Sequence, residues 1–233
     1  MQRPIEKPPG TPVENLDTPA LIVDLNTLDA SFSAVPGPAR AEVWVHGTPA
    51  IARRQLAHPM VFGIAVRSVG EAEVFAAAGF DDIRILRPLV TEVSKRRAEA
   101  LPGSIHVAGS AMGQGDRLPL WGVDALDGAV TVSARVTSVP ERGRAIHDCG
   151  QKAIGRDHGD PRIIGGDRLK SSGGSAEHGT VLSPPGEPPF AIGDWLQLVP
   201  ADVPTAFALH DFVFGVRDGG LEAVWPISAR GAF

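Results

Sequence analysis

Four short apolar segments, each followed by a helix-like pattern, occupy the first hundred residues of this 233-residue chain. Short apolar runs that alternate with helices are typical of parallel βα units, whose strands are buried on both faces. Ser68 and Glu71 have the spacing of a capping box, which predicts that a helix begins there. The sequence therefore predicts about four βα units, with strands at Ala20–Val23, Glu42–Val45, Met60–Val66 and Asp82–Leu86.

The pattern changes after Leu101, where no amphipathic helix is predicted. Residues 129–136 alternate between apolar and polar side chains with period two, as expected for a strand with one buried face. Asp218-Gly219-Gly220 separates two apolar runs and predicts a hairpin turn. We predict an α/β domain over 1–103 and an antiparallel β domain over 104–233, whose further strands lie at 144–148, 195–199, 212–216 and 221–225.

Composition excludes several classes of protein. The net charge of −5 argues against a surface that binds nucleic acid. No apolar run approaches the roughly 18 residues of a membrane span, and the first ten residues lack the apolar core of a signal peptide. One cysteine, Cys149, cannot form an internal disulfide or a cysteine-based zinc site, and a buried, inert thiol is expected there. A cytoplasmic protein without nucleic-acid or membrane partners is expected.

Several segments together resemble one enzyme family. The segment Leu16-Asp17-Thr18-Pro19-Ala20-Leu21-Ile22-Val23-Asp24-Leu25 is similar to the opening of the D-threonine aldolase and D-serine dehydratase group. These are pyridoxal-phosphate enzymes of fold type III, with an alanine-racemase-like barrel. Residues 51–55, 69–74 and 77–83 resemble later barrel units, and residues 131–136, 148–153, 177–179, 209–211 and 224–226 resemble the family's C-terminal β domain.

The resemblance implies a lyase that cleaves or dehydrates a small D-hydroxy amino acid, with racemase chemistry less favoured. In the family, the second strand ends in a motif whose first lysine forms a Schiff base with the cofactor. The matching stretch here places Trp44 at that position, and an indole has no amine that could form an aldimine. The four lysines of the chain, Lys7, Lys95, Lys152 and Lys170, lie elsewhere. No catalytic residue is therefore assigned, and pyridoxal phosphate is implied by resemblance alone.

A divalent metal is also implied by resemblance alone. The family holds it through a histidine and a cysteine or aspartate two residues apart, near the C-terminus. Here the histidine position falls on Ala201 or Asp202 and its partner on Val203 or Pro204. Valine and proline offer no side-chain ligand, so no metal site is predicted.

Length sets a further limit, because a complete (β/α)₈ barrel needs about 250 residues by itself. The resemblance therefore implies a partial barrel of about four βα units, followed by the antiparallel β domain. Such a barrel leaves open strand edges, which favour association, for instance as a homodimer. Half a barrel also exposes apolar surface, which must be covered if the chain is to fold stably alone.

Three residues remain as predicted cofactor contacts. His46 follows a parallel strand at its carboxyl end, where ligands collect in α/β folds. Gly109 and Ser110 match a family pair near the cofactor phosphate, and exposed backbone N–H groups there could hold an anion. The alternative is a polar loop histidine and a plain glycine turn. We predict a shortened, catalytically impaired relative of the D-amino-acid lyases; the alternative is a non-enzymatic remnant that binds a ligand or associates with itself.

Overall fold

The computed structural model describes residues 7–35, 37–109, 118–122, 126, 128–165, 168–185 and 190–233. They contain six α-helices: α1 (Leu25–Ser31), α2 (Pro49–Leu56), α3 (Val69–Ala77), α4 (Glu92–Glu99), α5 (Gln151–Ile154) and α6 (Val203–Leu209). The described strands are β1 (Ala20–Asp24), β2 (Ala39–Glu42), β3 (Val61–Val66), β4 (Asp82–Ile85), β5 (Ser104–Val107), β6 (Leu120–Trp121), β7 (Val130–Glu141), β8 (Arg144–His147), β9 (Arg162–Ile163), β10 (Lys170–Gly174), β11 (Gly179–Leu182), β12 (Trp195–Val199), β13 (Phe212–Arg217) and β14 (Gly220–Pro226).

The chain folds into two compact units. The β unit consists of Met1–Leu28 with Asp127–Trp225, and the α/β unit consists of Asp29–Leu126 with Pro226–Phe233. This division differs from the predicted one, 1–103 and 104–233. The first 28 residues belong to the β unit, and the last eight belong to the α/β unit. Among the described residues, no helix has the length and apolar character needed to cross a membrane.

The α/β unit contains a five-stranded sheet in the order β5-β4-β3-β2-β6, with every recorded strand pair parallel. Helices α2, α3 and α4 each connect one strand to its neighbour, which confirms the predicted βα units in this region. The capping box is confirmed as well, since the Ser68 hydroxyl accepts a hydrogen bond from the Glu71 N–H (3.0 Å). Strand β5 was not predicted from the sequence.

The two faces of this sheet have opposite character. Ala41, Ile64, Ile83 and Ile105 are neighbours in register and belong to the apolar core of the unit. Phe75 of α3 is fully buried in the same core and makes an edge-on ring contact with Phe80. Side chains alternate between faces along a strand, so the opposite face is formed by the remaining positions. That inner face carries Arg40, Glu42, Asp82, Arg84 and His106.

The second predicted strand ends earlier than expected. Strand β2 stops at Glu42, and Val43–Val45 forms a short 3₁₀ turn in which the Val43 carbonyl accepts hydrogen bonds from the N–H groups of His46 and Gly47. Two buried valines, Val43 and Val45, suggested a strand by their β-branched side chains. Both valines are buried as a strand would require, but their backbone forms a 3₁₀ turn and not a strand.

The β unit contains a mixed sheet, and it includes the first strand of the chain. Strand β1, predicted as the first barrel strand, instead pairs in parallel with β13 and antiparallel with β7. A short apolar run predicts a buried strand without indicating which sheet receives it. The order is β10-β11-β8-β7-β1-β13-β14, with β12 paired to β7 and β9 to β12.

The remaining strand predictions for this half are confirmed within a residue or two, apart from β7, which extends beyond the predicted end to Glu141. Asp218 and Gly219 have φ values of 50° and 76°, as a hairpin turn of type I′ requires. The prediction of no helix after Leu101 was wrong. Helices α5 and α6 have four and seven residues, too few to show a helical period in the sequence.

Candidate functional site

Trp44 lies in the 3₁₀ turn that follows β2, on the side of the carboxyl ends of the parallel strands. The carbon centre of the Arg67 guanidinium lies 3.3 Å from the centre of its ring, which is a close cation–π stack. The indole N–H donates a hydrogen bond to Oε1 of Glu42 (3.2 Å). The position that resembles the family's lysine is therefore filled by a packed, hydrogen-bonded indole.

The Arg67 backbone is held by the start of helix α3. One Glu71 carboxylate oxygen, Oε2, accepts the N–H of Arg67 (2.6 Å) and the N–H of Ser68 (3.3 Å). Burial raises the pKa of the Glu71 carboxyl group, although these hydrogen bonds and the charges of Arg67 and Arg87 act in the opposite direction. The capping box thus fixes the residue whose side chain covers Trp44.

His46 is fully buried, and both of its ring nitrogens have partners inside the α/β unit. Its Nδ1 accepts the Thr48 N–H (3.0 Å), so Nε2 carries the proton and donates it to Oε1 of Gln55 (3.1 Å). Burial lowers the pKa of His46 to about 4, against a smaller raising effect of the Gln55 hydrogen bond. The ring organises the turn after β2, and its predicted contact with a cofactor stays a prediction.

Gln55 was not singled out from the sequence. Its side chain is fully buried in α2, and its Nε2 has no hydrogen-bond partner among the described residues. Buried helix positions are predicted from apolar side chains at helical spacing, and a glutamine among them is taken as exposed, so the sequence does not indicate its burial. Gln55, His46 and Thr48 together form a buried polar cluster after β2.

Gly109 lies in the turn after β5, with φ at +72° and an exposed surface. A Cβ at this glycine would meet the Pro88 side chain at 3.7 Å. Three strand spacings, about 14 Å, separate the ends of β2 and β5 that carry His46 and Gly109. Ser110 lies outside the described residues, so the predicted contacts of Gly109 and Ser110 with a cofactor phosphate stay predictions.

One ion pair and a histidine contact link β2, β4 and β5 across the inner face of the sheet. Arg40 is 3% exposed and donates to Oδ1 of Asp82 (2.7 Å), while Nε2 of His106 lies 3.2 Å from the same oxygen. Gly63 of β3 makes room for the Arg40 guanidinium: its φ is +90°, and a Cβ there would also lie 2.8 Å from the Asp82 carbonyl oxygen. The sequence reasoning missed this cluster, because the arginine and the carboxylate are 42 residues apart.

The side chains do not fit a covalently bound pyridoxal phosphate. In the α/β unit the sequence contains a single lysine, Lys95, whose Nζ is bound to Oε1 of Glu92 (2.7 Å) along α4. Lys152 lies in the β unit and pairs with Glu177 at the surface. Neither lysine stands at the carboxyl end of a parallel strand, where the resemblance would require an amine.

The side chains do not fit the family's metal either. Asp202 caps helix α6, where its Oδ2 accepts hydrogen bonds from the N–H and the hydroxyl of Thr205. In the part of the chain that the structure describes, no group of three or more His, Cys, Asp or Glu residues could hold a metal ion. Cys149 is 1% exposed, and burial raises the pKa of its thiol to about 12, so it is no nucleophile or thiolate ligand.

Comparisons with known proteins agree on one family. Residues 129–216 match the model of the family described as "Putative serine dehydratase domain". The chain is 40% identical over 107 residues to D-threonine aldolase of an Arthrobacter species, covering 46% of this chain and 28% of that enzyme. It is 36% identical over 130 residues to 3-hydroxy-D-aspartate aldolase of Paracoccus denitrificans, covering 55% and 31%. The chain thus spans less than a third of the length of these aldolases.

An uncharacterized protein of Mycobacterium tuberculosis is 32% identical over 129 residues, and the match covers 97% of that protein and 52% of this chain. Among solved structures, D-threonine aldolase from Filomicrobium marinum superposes with a TM-score of 0.81 at 19% identity, covering 97% of this chain and 99% of that one. An alanine racemase-like protein from Idiomarina loihiensis gives 0.72 at 14% identity, covering 93% and 98%. These structures share the fold of the chain.

Proposed function

Because the chain belongs to the family of D-threonine aldolase- and D-serine dehydratase-like proteins, we propose that it is a catalytically impaired member of that family. It keeps the family's fold and has lost Schiff-base chemistry with pyridoxal phosphate. In this proposal the chain neither cleaves nor dehydrates D-hydroxy amino acids. A small D-amino acid remains the ligand class that the family relationship favours.

The packing of Trp44 carries this proposal. A missing lysine alone could be replaced by a neighbouring amine, but the indole here is stacked on Arg67 and hydrogen-bonded to Glu42. The stack and the hydrogen bond hold the indole in place where an amine would have to stand. The capping role of Asp202 supports the same proposal, since its carboxylate is already engaged.

The test is an absorption titration of the purified protein with pyridoxal phosphate, followed by borohydride reduction and peptide mapping. We expect no band near ~410–430 nm that borohydride fixes to one peptide. The variant Trp44→Lys restores an amine at the strand end and is expected to gain such a band on the peptide that contains position 44. Trp44→Met, which removes the ring without adding an amine, is the matched control and stays without the band.

Two results would overturn the proposal. One is a reducible band in the unmodified protein that maps to a single lysine. The other is cleavage of D-threonine or dehydration of D-serine by the pure protein with added cofactor and divalent metal. If Trp44→Lys folds but gains no band, an amine at position 44 is not sufficient for Schiff-base formation. Other residues that the cofactor needs are then missing as well, which agrees with an impaired member of the family.

A second candidate is a self-associating, non-enzymatic role. Among the strands that the structure describes, β5 and β6 lie at the two edges of the parallel sheet. Unpaired backbone groups at sheet edges favour strand addition. Light scattering on a sizing column over a hundredfold concentration range tests it. A homodimer is expected under this alternative, and a monomer at every concentration would exclude it. A cytoplasmic location also stays a prediction.

A further inference from the structure

The β unit contains a cavity of about 380 Å³ on the sheet face formed by β1, β7, β12 and β13. This volume lies at the lower end of the range of about 300–1,000 Å³ that is usual for small-molecule sites. Its walls include Ile22 and Asp24 of β1, Thr131 of β7, Trp195 of β12 and Val216 of β13. All twelve lining residues belong to the β unit, whereas Trp44 belongs to the α/β unit.

The walls combine apolar side chains with the neutral polar side chains of Thr27, Thr131 and Gln197 and with one carboxylate. Asp24 is the acidic residue of the lining, and the residues that line the cavity include no lysine, arginine or histidine. Arg217 lies two residues before the lining residue Gly219, but its guanidinium is bound to Glu222 and Asn26. The cavity therefore presents one negative charge without a basic side chain in its wall.

One of the two Asp24 carboxylate oxygens accepts a hydrogen bond within the protein. Oδ1 accepts the Thr27 N–H at the start of α1 (2.7 Å), whereas Oδ2 accepts no hydrogen bond from any residue that the structure describes. A carboxylate oxygen at the wall of a cavity whose lining includes no basic side chain is a strong acceptor for a cationic donor. This contact also fixes the carboxylate in place before a ligand binds.

Two apolar side chains of the wall are incompletely covered by protein. Ile164 is 44% exposed, although it is a large aliphatic residue. The indole of Trp195 lines the cavity, and its buried N–H has no hydrogen-bond partner among the described residues. The hydrocarbon part of a ligand would cover Ile164 and the Trp195 ring.

We propose that this cavity binds a small organic ammonium ion, a primary amine on an aromatic or aliphatic body about the size of benzylamine. The ammonium group donates to Oδ2 of Asp24, and the body packs against Ile22, Ile164 and the Trp195 ring. A free amino acid is disfavoured, because its carboxylate would find no cation in the wall. The inference does not depend on the impaired chemistry proposed above.

The test is calorimetric titration of the full chain with benzylamine and, as a neutral analogue of the same shape, benzyl alcohol. We expect saturable binding of benzylamine, with the alcohol about tenfold weaker or worse, because a charge-assisted hydrogen bond is lost. Asp24→Asn keeps the Oδ1 acceptor for Thr27 but removes the charge, and is expected to weaken benzylamine by a similar factor. Asp194→Asn is the matched control, since the Asp194 carboxylate also accepts a backbone N–H, that of Ala191, and Asp194 is not among the lining residues.

A second variant keeps the test informative if Asp24→Asn folds poorly. Ile164→Arg changes an exposed side chain and places a cation at the wall, so benzylamine binding should disappear while the melting temperature is retained. The proposal is overturned if benzylamine shows no saturable binding, if the alcohol binds equally well, or if a folded Asp24→Asn or Ile164→Arg variant binds like the unmodified protein.

Discussion

Acidification from pH 7 to pH 5 is expected to destabilise the protein through His46. The ring is fully buried and neutral, and its Nδ1 accepts the Thr48 N–H, so a proton on Nδ1 would break that hydrogen bond and place a charge in the core. The folded pKa of about 4 lies below the ordinary value of 6.5. Below pH 6.5 the unfolded chain takes up a proton that the folded chain does not, so stability falls as the pH falls towards 4.

The size of the effect follows from this pKa difference. Linkage between a pKa of 6.5 and one of about 4 gives a loss of about 2 kcal/mol at pH 5 and about 3 kcal/mol at pH 4, relative to pH 7. His147 in the β unit also has its pKa lowered by burial to about 4 and adds a loss of the same sign. The contribution of His46 must therefore be isolated with a variant.

His46→Asn is the suitable change, because an asparagine oxygen can accept the Thr48 N–H and the side chain does not titrate. Urea denaturation at pH 7, 6 and 5 should show a smaller loss of the free energy of unfolding in the variant, by about 2 kcal/mol at pH 5. His58→Asn is the control within the same unit, since Nδ1 of the half-buried His58 accepts the Met60 N–H in the same way. Parallel pH curves for the unmodified protein and His46→Asn would refute the reasoning.

Two further outcomes are expected. Gly63→Ala should lower the free energy of unfolding by about 2 kcal/mol or more, because φ is +90° and the new Cβ would clash with Arg40 and the Asp82 carbonyl. Gly79→Ala, with φ at +88° but open space around it, should cost about 1 kcal/mol, and equal losses in urea denaturation would contradict the clash. Cys149 should not react with a thiol reagent at pH 7.5 until urea unfolds the chain, since the thiol is 1% exposed and its pKa is about 12; rapid reaction of the folded protein would contradict this.

The sequence predicts those helices, strands and turns of this protein that depend on residues close together in the chain. The βα units from β2 to β4 and the hairpin at Asp218 follow from local signals, namely strand-helix alternation, a capping box and a turn dipeptide. Strand β1 could be predicted as a strand, but not as a member of the β unit, because its partner β13 lies about 190 residues away in the chain. Sheet membership is decided by long-range pairing, and a single sequence does not encode that pairing in a readable pattern.

The candidate site shows the same limit. Position 44 could be identified by resemblance, and the absence of an amine there followed at once from the sequence. The stack of Arg67 on Trp44 could not be predicted, because it depends on adjacent parallel strands that end at the same level. His46 was predicted as a ligand contact from its place at a strand end, while its burial against Gln55 depends on how α2 packs.

The charged inner face explains how a partial barrel can be stable. In a complete barrel, layers of apolar side chains fill the interior, and their partners come from all eight strands. With five strands, an apolar inner face would lack those partners and would favour aggregation. Here the inner face carries Arg40 paired with Asp82, and Gly63 leaves the space that the guanidinium needs. Apolar burial is concentrated on the face that packs against the helices, where Phe75 and the isoleucines lie. The Arg40–Asp82 ion pair and the other charged side chains of this face thus do without the apolar partners that the remaining barrel strands would supply, as a stably folded sheet of this size requires.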